Sequence, residues 1–209
     1  MNAERPHMDN AVQRAAGTAE PRGDMDDAAL IAQSLRAPER FGVLFDRHAP
    51  AIYRYITRRL GRNSADDLVA ETFLAAFRQR GRYDRTHADA RPWLYGIATR
   101  LIGRYRRDEV RFFRAIARTG VDPAAEPIAD QVANRVAAQA GSRELAAAIA
   151  ALPPAYRDVL LLIASGLGYQ ETATALGVPV GTISSRLLRA RQRVRALIGD
   201  PMQADDGRE

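Results

Sequence analysis

Residues 169–195 read YQETATALGVPVGTISSRLLRARQRVR, and this stretch contains two short helical patterns separated by a turn. Gly177 suits the turn because glycine adopts positive φ angles without a steric cost. Pro179 stands where a helix can begin but not continue, because proline lacks a backbone N–H. The pattern therefore predicts a helix-turn-helix whose second helix begins near Val180.

The second helix of this stretch has one apolar face and several polar positions. We expect Ile183, Leu187, Leu188 and Val194 on the apolar face. The polar positions start with hydroxyl side chains and continue with arginines, an order that suits a recognition helix whose first turns enter a major groove. These positions are Thr182, Ser184, Ser185, Arg186, Arg189 and Arg193. The alternative interpretation is a solvated arginine face on a core helix.

The composition favours a polyanionic partner. The 209 residues carry a formal net charge of +6, and the 31 basic residues are all arginine. Guanidinium groups bind phosphate and guanine bidentately, although a GC-rich genome would produce the same preference for arginine. The absence of cysteine excludes disulfides and thiol nucleophiles and is consistent with a cytoplasmic protein. We find no apolar run of transmembrane length and no signal-peptide pattern, so we expect no membrane insertion.

Residues 64–78, with the sequence SADDLVAETFLAAFR, show the clearest helical periodicity in the chain. Val69, Phe73 and Phe77 are spaced to form an apolar stripe. Ser64, followed three residues later by an aspartate, resembles a capping box. Another face of this helix combines acidic and apolar side chains, at Asp67, Glu71 and Leu74. That face is either an ordinary solvated surface or a docking surface for a basic protein partner.

Residues 80–91 (RGRYDRTHADAR) form a predicted basic loop, after which Pro92 opens a helix that we expect over residues 93–107. Basic residues interleaved with aromatic ones suit single-stranded nucleic acid, because arginines contact phosphates and rings stack on exposed bases. Core packing is the favoured role for Trp93 taken alone. Tyr95 and Tyr105 are compatible with either role.

The chain divides into two helical units flanked by polar tails. We expect a disordered tail over residues 1–24, a first unit over 25–108, a flexible linker over 109–140, a second unit over 141–200 and a tail over 201–209. Within the linker, residues 111–118 are compatible with an extension of the preceding helix. The predicted fold class is therefore all-α, with two small helical domains joined by a flexible linker.

The sequence gives little support for catalysis. The three histidines (His7, His48 and His87) are scattered, and no metal-binding or nucleotide-binding motif occurs. Asp66 and Asp67 are adjacent, so on a helix their side chains point about 100° apart, and helix capping explains them better than an acid–base or metal site does. We therefore expect no enzyme activity, no metal and no cofactor.

Three segments, in this order, resemble the bacterial sigma-70 family of RNA polymerase sigma factors, specifically the extracytoplasmic-function type (group 4). DDLVAETFLAAFR is similar to the core-polymerase-binding region 2.2, RPWLYGIATRLIGRYRR to regions 2.3–2.4, and LPPAYRDVLLLIASGLGYQETATALGVPVGTISSRLLRARQRV to region 4. The resemblance covers about residues 28–107 and 145–198. Two independent motifs in the family's order make it specific. Residues 163–169 depart from the acidic pattern that is usual in the family.

The resemblance implies a promoter-specificity subunit of RNA polymerase, built from region 2 and region 4. It implies contacts with the β′ clamp helices of core polymerase by Asp67, Glu71, Thr72 and Leu74. It implies contacts with the −10 promoter element by Arg82, Tyr83, Arg91, Trp93, Tyr95, Arg100, Arg104, Arg106 and Arg107. It implies contacts with the −35 element by Thr182, Ser184, Ser185, Arg186 and Arg189. The implied partners also include the polymerase β flap, and the family leaves room for an inhibitory anti-sigma factor that no residue here identifies.

Two other functions are compatible with parts of the sequence. An autonomous helix-turn-helix regulator would bind a palindromic site without polymerase, with half-sites about one helical turn apart. A partner-binding protein with merely solvated basic surfaces would keep its function after Arg186 and Arg189 were replaced by alanine.

Overall fold

The computed structural model describes residues 25–119 and 132–198, and within these ranges the protein is helical and contains no strand. The helices are α1 (Asp27–Ser34), α2 (Phe41–Leu60), α3 (Ala65–Gln79), α4 (Arg91–Ile102), α5 (Arg106–Thr119), α6 (Val132–Ala151), α7 (Pro154–Ala164), α8 (Tyr169–Leu176) and α9 (Val180–Ile198). Short 3₁₀ turns lie at Pro38–Arg40, Arg62–Ser64, Arg80–Arg82 and Gly103–Tyr105. The predicted all-α class is confirmed, and both predicted tails lie outside the described residues.

The core of the first unit forms where α2, α3 and α4 pack their apolar faces together. The predicted stripe on α3 is on this side, since Val69 and Phe73 are buried and Phe77 is partly buried. Phe41 and Phe45 of α2 meet Phe77 and Phe73 edge-on, with ring centroids 5.3 and 4.8 Å apart. This packing leaves the remaining faces of α3 and α4 available for binding or for the second unit.

The capping box predicted at Ser64 is wrong. Ser64 ends the 3₁₀ turn before α3, with φ −109° and ψ 0°, and its side chain makes no capping hydrogen bond. A capping serine needs an extended backbone to aim its hydroxyl at the first turn, and the 3₁₀ turn prevents this conformation.

The single helix predicted over residues 93–107 is interrupted. α4 ends at Ile102, a 3₁₀ turn follows at Gly103–Tyr105, and α5 begins at Arg106. Gly103 is at the break, where its low helix propensity, about 1 kcal/mol worse than alanine, favours a change of direction. The last basic residues of the segment therefore lie on a different helix from the first.

The flexible linker predicted over residues 109–140 is partly wrong. Residues 109–119 are part of α5, whose Phe113 and Ile116 are buried against Ala146 of α6. The predicted boundary at residue 141 falls inside α6. Residues 120–131, the middle of the predicted linker, lie outside the described residues. The helical extension that the sequence allowed over residues 111–118 is present, because α5 is amphipathic and buries a narrow apolar stripe.

The second unit contains the predicted helix-turn-helix. Gly177 ends α8 in the left-handed conformation, with φ 64°, and α9 begins at Val180. Ile183 and Leu187 pack in the core with Val159 of α7, as predicted. Leu188 is 58% exposed, so its predicted place on the apolar face is wrong. Adjacent helical residues point about 100° apart, and only Leu187 faces the neighbouring helices.

The two units pack directly against each other. Leu162, Leu167 and Ala175 of the second unit belong to the same buried cluster as the first unit's core. α4 packs on α8, and α5 packs along α6. This arrangement, which sequence reasoning left open, determines which of the predicted site residues are accessible.

Candidate functional site

The acidic and apolar face predicted on α3 exists, but one of its predicted members does not belong to it. Asp67 is exposed, Glu71 is half-buried and Leu74 is 48% exposed. Thr72 is fully buried, and its hydroxyl donates a 2.6 Å hydrogen bond to the Leu68 carbonyl. Thr72 therefore cannot contact a partner without unfolding a turn, and we remove it from the candidate surface.

An ion pair joins this face to the basic region that follows α4. Arg104 Nη1 lies 3.0 Å from Glu71 Oε1, and both side chains are substantially exposed. Because solvent screens exposed pairs, this contact contributes little to stability. The ion pair matters for position, because it places a residue of the candidate polymerase surface beside a residue of the candidate −10 surface.

The arginines predicted to contact the −10 element are mostly accessible. The exposed members are Arg82, Arg100, Arg104, Arg106 and Arg107. These exposed guanidinium groups suit contacts with a phosphate backbone.

Tyr83 and Trp93, the aromatic residues predicted to contact the −10 element, pack against each other and do not present their rings to solvent. Their ring centroids lie 4.9 Å apart, and Trp93 also packs against the first unit's core. The Tyr83 hydroxyl donates to the carbonyls of His87 and Asp89, and burial raises the pKa of this phenol. Tyr83 thus holds the loop before α4 in this structure, and it is not open to a base.

Tyr95 and Arg91, predicted to contact the −10 element, are both held by other parts of the protein. The Tyr95 ring packs on Tyr55 of α2, with the ring centroids 5.0 Å apart, and Arg91 contacts the second unit. Tyr95 is 3% exposed, and burial raises the pKa of its phenol. Arg91 Nη2 donates a 3.3 Å hydrogen bond to the Gly166 carbonyl, and Arg91 Nη1 is 4.0 Å from Glu171 Oε1. Tyr95 therefore lies in the first unit's own core, and Arg91 is not free to bind DNA while it holds the Gly166 carbonyl.

Asp27 anchors the loop that leads into α4. Its Oδ2 accepts hydrogen bonds from the Ala90 N–H (2.8 Å) and the His48 ring (2.6 Å), and its Oδ1 accepts one from Arg47. Burial opposes ionisation of the Asp27 carboxyl, but these hydrogen bonds hold its pKa below the ordinary value. Asp27, His48 and Asp89 have ligand-type atoms within 4.8 Å of one another. Protein donors already use the Asp27 oxygens, so we interpret this cluster as the loop's anchor.

The predicted recognition helix presents most of its polar side chains to solvent. Ser184, Ser185 and Arg189 are exposed, while Thr182 and Arg186 are half-buried. Ser185 Oγ donates to the Thr182 carbonyl at 3.1 Å, within the helix. The hydroxyl-rich first turns and the later arginines therefore share an accessible surface, as a major-groove reader requires.

Tyr156 of α7 contacts the arginines of the recognition helix, a role that sequence reasoning missed. A hydrogen bond from Arg189 lowers the pKa of the Tyr156 phenol, and the Arg193 guanidinium lies 5.4 Å from the ring centroid. Arginine–aromatic contacts of this kind limit the directions in which a guanidinium can point. No short-range signal could reveal the contact, because α7 and α9 are distant in sequence.

A buried network of charges connects the two units. Arg59 of α2, 2% exposed, donates to Glu109 Oε1 (2.5 Å), to Asp158 Oδ1 (2.6 Å) and to the Tyr55 hydroxyl (2.6 Å). Arg157 of α7 donates to Glu109 Oε2 at 3.1 Å. The two acids offset the two guanidinium charges, so the network is neutral and each charge has a partner. Sequence reasoning missed it because arginine is abundant throughout the chain.

None of the helices in the described ranges is both long enough and apolar enough to cross a bilayer.

Comparison with known proteins gives consistent matches to one family. The sigma-70 region 2 model matches residues 44–112, and the sigma-70 region 4 model matches residues 142–194. The chain is 30% identical to the ECF RNA polymerase sigma factor BldN of Streptomyces coelicolor over 186 residues, which cover 86% of this chain and 70% of BldN. It is 33% identical to the ECF RNA polymerase sigma factor SigC of Mycobacterium tuberculosis over 176 residues, which cover 82% of this chain and 92% of SigC.

Solved structures agree with this fold. CnrH, solved in complex with the cytosolic domain of CnrY, matches with a TM-score of 0.57 and 26% identity, covering 86% of this chain and 98% of CnrH. The sigma factor RpoE of Bartonella quintana, solved with the anti-sigma factor NepR, matches with a TM-score of 0.52 and 23% identity, covering 80% of this chain and 99% of RpoE. The RpoE likeness supports the fold alone. With both family regions present in order and relatives matched over most of its length, the chain belongs to the sigma-70 family of RNA polymerase sigma factors, in the extracytoplasmic-function group.

Proposed function

We propose that this protein binds core RNA polymerase and directs promoter-specific initiation of transcription by recognising −10 and −35 elements. The observation that carries the proposal is the presence of regions 2 and 4, in that order, on one chain. A polymerase-docking region and two DNA-reading regions on the same molecule are what a promoter-specificity subunit requires.

The polymerase contact is proposed for the exposed face of α3. Asp67, Glu71 and Leu74 are spaced at i, i+4 and i+7, so they form one stripe. An exposed leucine beside carboxylates suits a basic partner helix with an apolar seam, which we identify with the β′ clamp helices. The second unit is proposed to dock on the β flap.

The −10 contact is proposed for the basic side of the first unit. The exposed arginines of this side would follow the phosphates of the separated strand, while bases are captured near the loop of residues 83–90. Unstacking a base costs a few kcal/mol, so the binding of that base in its pocket must offset the cost. Arg91, Trp93 and Tyr95 remain in the proposed set, but they need a rearrangement to reach DNA.

The −35 contact is proposed for the first turns of α9. Thr182, Ser184 and Ser185 would face base edges, and Arg186 and Arg189 would contact guanine or phosphate. Tyr156 joins this set as a residue that positions Arg189. The affinity of this helix alone need only be modest, because attachment to polymerase supplies a high effective concentration.

Sigma factors are regulatory proteins, and we infer that this chain performs no catalysis, since polymerase itself synthesises the RNA. No cofactor is required for this role. Promoter DNA and polymerase are cytoplasmic in bacteria, so the proposed function implies a cytoplasmic protein. An anti-sigma factor is a further candidate partner.

The decisive experiment is transcription by core polymerase and the purified protein on a genomic library, with the start sites mapped. We expect starts that share −10 and −35 motifs at a fixed spacing and that are absent without the protein. Failure of the protein to associate with core polymerase would contradict the proposal. A footprint on a palindromic site without polymerase would instead support an autonomous regulator.

A further inference from the structure

We propose that this protein binds a small phosphoryl anion, of the size of phosphate or diphosphate, in a cavity lined by three arginines and a tyrosine. These residues are Arg54, Arg58, Arg91 and Tyr95. The cavity has a volume of about 200 Å³ and lies where α2 and α4 meet Ser165, the residue that follows α7. The inference goes beyond the proposed function, because neither polymerase nor promoter DNA enters it.

The first two arginines are neighbours on one face of α2. Arg54 and Arg58 are one helical turn apart, so their Cβ atoms lie about 5–6 Å from each other. Both side chains are exposed, and no carboxylate among the described residues forms an ion pair with either of them. Like charges at this spacing repel and destabilise a helix slightly. An anion bound between them would replace this repulsion with two charge-assisted contacts.

Arg91 brings the third guanidinium group from the start of α4. Its Nη2 donates a 3.3 Å hydrogen bond to the Gly166 carbonyl, which limits the directions the side chain can take. Glu171 Oε1 is 4.0 Å from Arg91 Nη1, at the outer limit of an ion pair. The other oxygen of Glu171 accepts a 2.6 Å hydrogen bond from the Gly168 N–H, at the start of α8. One carboxylate at this distance only partly offsets three guanidinium charges, so the cavity remains positive.

Tyr95 supplies a hydroxyl group to the same cavity. The residue is only 3% exposed, and its hydroxyl forms no hydrogen bond with any residue that the structure describes. Burial raises the pKa of the Tyr95 phenol, and the charges of Arg91, Arg54 and Arg58 act against that rise. The three guanidinium groups are therefore close enough to act on one phenol. A nearly buried hydroxyl requires an acceptor, and three neighbouring cations favour an anionic one.

The other polar groups that line the cavity already have protein partners. The Tyr55 hydroxyl is hydrogen-bonded to Thr99 and accepts from Arg59. The Ser165 hydroxyl donates to the Leu161 carbonyl at 2.8 Å. The groups left for a ligand are therefore the guanidinium donors and the phenol. A cavity that offers donors and positive charge selects an anion over a metal ion or a neutral molecule.

The size of the cavity restricts the anion to a small one. Sites for drug-sized ligands measure about 300–1,000 Å³, which is larger than the 200 Å³ found here. A phosphoryl group has three terminal oxygens and carries about two negative charges near neutral pH. Guanidinium groups bind such oxygens bidentately, whereas a carboxylate offers two oxygens and one charge. A phosphoryl anion therefore fits the cavity in volume, in charge and in the type of donor.

The same phosphoryl chemistry can reach the cavity from two sources. One is a free inorganic ion, and the other is the terminal phosphate of a nucleotide whose base remains outside the cavity. Inorganic diphosphate and the nucleoside diphosphate ADP distinguish these sources, because both present a diphosphate but only ADP carries a base and a sugar. Tighter binding of inorganic diphosphate would identify the free ion, and tighter binding of ADP would identify the nucleotide.

The test is isothermal titration calorimetry of the full-length protein with inorganic diphosphate, inorganic phosphate and ADP in magnesium-free buffer. All titrations are made at about 0.15 M ionic strength, where salt screens nonspecific attraction to a basic protein. We expect a saturable isotherm with one site for each protein molecule. Diphosphate at a hundred times its dissociation constant should also raise the melting temperature by about 5–10 °C.

Single-arginine variants test whether the cavity is the binding site. Arg54→Gln and Arg58→Gln should each weaken diphosphate binding about 10- to 100-fold, the loss expected for one charge-assisted contact. Arg62→Gln is the matched control, because Arg62 is an exposed arginine just beyond α2 that does not line the cavity. Without ligand, the melting temperatures of Arg54→Gln and Arg58→Gln should equal or exceed that of the parent, since each variant removes a like-charge repulsion.

Tyr95→Phe tests the contribution of the hydroxyl alone. The variant keeps the ring that packs on Tyr55, so the fold should be retained. We expect about fivefold weaker diphosphate binding, as for the loss of one hydrogen bond. Tyr53→Phe removes a hydroxyl from a tyrosine of α2 that does not line the cavity, and it should bind diphosphate as the parent does.

Three results would overturn the proposal. The first is the absence of saturable binding by all three ligands. The second is an equal loss of affinity in Arg54→Gln and Arg62→Gln, which would show general attraction to a basic surface. The third is saturable binding of a DNA strand that depends on Arg54 and Arg58 while inorganic diphosphate does not bind. Transcription with core polymerase is scored separately, and its failure would count against the proposed function instead.

Discussion

The two surfaces proposed to read DNA differ in how the fold presents them. The −35 surface on α9 is preformed, with Ser184, Ser185 and Arg189 exposed. The −10 surface is incomplete, because Tyr95 is buried and Arg91 is bound by the second unit. The difference matches the substrates, since duplex DNA is present before polymerase acts and a separated strand is present only afterwards. A surface that binds duplex DNA can be preformed, whereas a surface that binds a separated strand is needed only after polymerase has acted.

The largest expected effect comes from breaking the charge network that joins the first unit, with its −10 surface, to the second unit. Arg59→Met would leave Asp158 without its guanidinium partner and remove the Nε donor to Glu109, so we expect a loss of about 3–5 kcal/mol in the free energy of unfolding. The measurement is urea denaturation followed by circular dichroism. Arg58→Met, at an exposed position on the same helix, serves as the control. Equal stability of the two variants would contradict a structural role for the network.

The next largest effect tests whether the −35 surface is preformed for base contact. Arg189→Ala should weaken promoter binding by the holoenzyme about 5- to 150-fold, as expected for the loss of one guanidinium contact to a base. Arg191→Ala, on another face of the same helix, should have little effect. Binding is measured by fluorescence anisotropy on duplex promoter DNA at a stated salt concentration. A similar loss in both variants would indicate nonspecific attraction.

A smaller effect separates polymerase docking from both DNA surfaces. Glu71→Arg should weaken association with core polymerase about tenfold, because a like charge would face a basic partner. Asp66→Arg changes charge equally on the same helix but lies off the proposed stripe, so core binding should stay close to that of the parent. Biolayer interferometry with immobilised core polymerase measures both. If Asp66→Arg were the more damaging change, the proposed stripe would be wrong.

The smallest effect concerns the loop that leads into the −10 surface. The folded-state pKa of Asp27 is lowered from the ordinary value of 3.8. Its contribution to stability is therefore present above pH 3.8 and is lost as the pH falls through the lower folded-state pKa. Asp27→Asn should lower the melting temperature at neutral pH and reduce the dependence of stability on pH in acid. Asp46→Asn, at an exposed site, should retain the parent's acid dependence in thermal melts from about pH 2 to pH 7.

Local features of this chain could be predicted from sequence because they depend on short-range chemistry. Gly177 and Pro179 determine the turn of the helix-turn-helix, and the stripe of Val69, Phe73 and Phe77 identifies the core side of α3. Their signals arise within one or two helical turns, where spacing and backbone preference decide the outcome.

Features that depend on long-range packing could not be predicted. The packing of Tyr83 against Trp93 makes a predicted base contact part of the loop's support. The helix of residues 109–119 is stabilised by Phe113 and Ile116, whose partners come from α6. The motif alone places Thr72 on the polymerase face, and only the packing of α3 shows that its side chain points inward. In each case the deciding neighbour is remote in sequence.

The ion pair between Glu71 and Arg104 implies a thermodynamic coupling between polymerase and promoter. In the free protein, the two side chains form an ion pair with each other, so neither is fully available to its proposed partner. When polymerase binds Glu71, Arg104 becomes available to a DNA phosphate. When DNA binds Arg104, Glu71 becomes available to polymerase. Linkage requires these two effects to be equal in free energy. An exposed pair is worth at most about 1 kcal/mol, so each ligand would strengthen the other's binding by up to about fivefold through this contact alone.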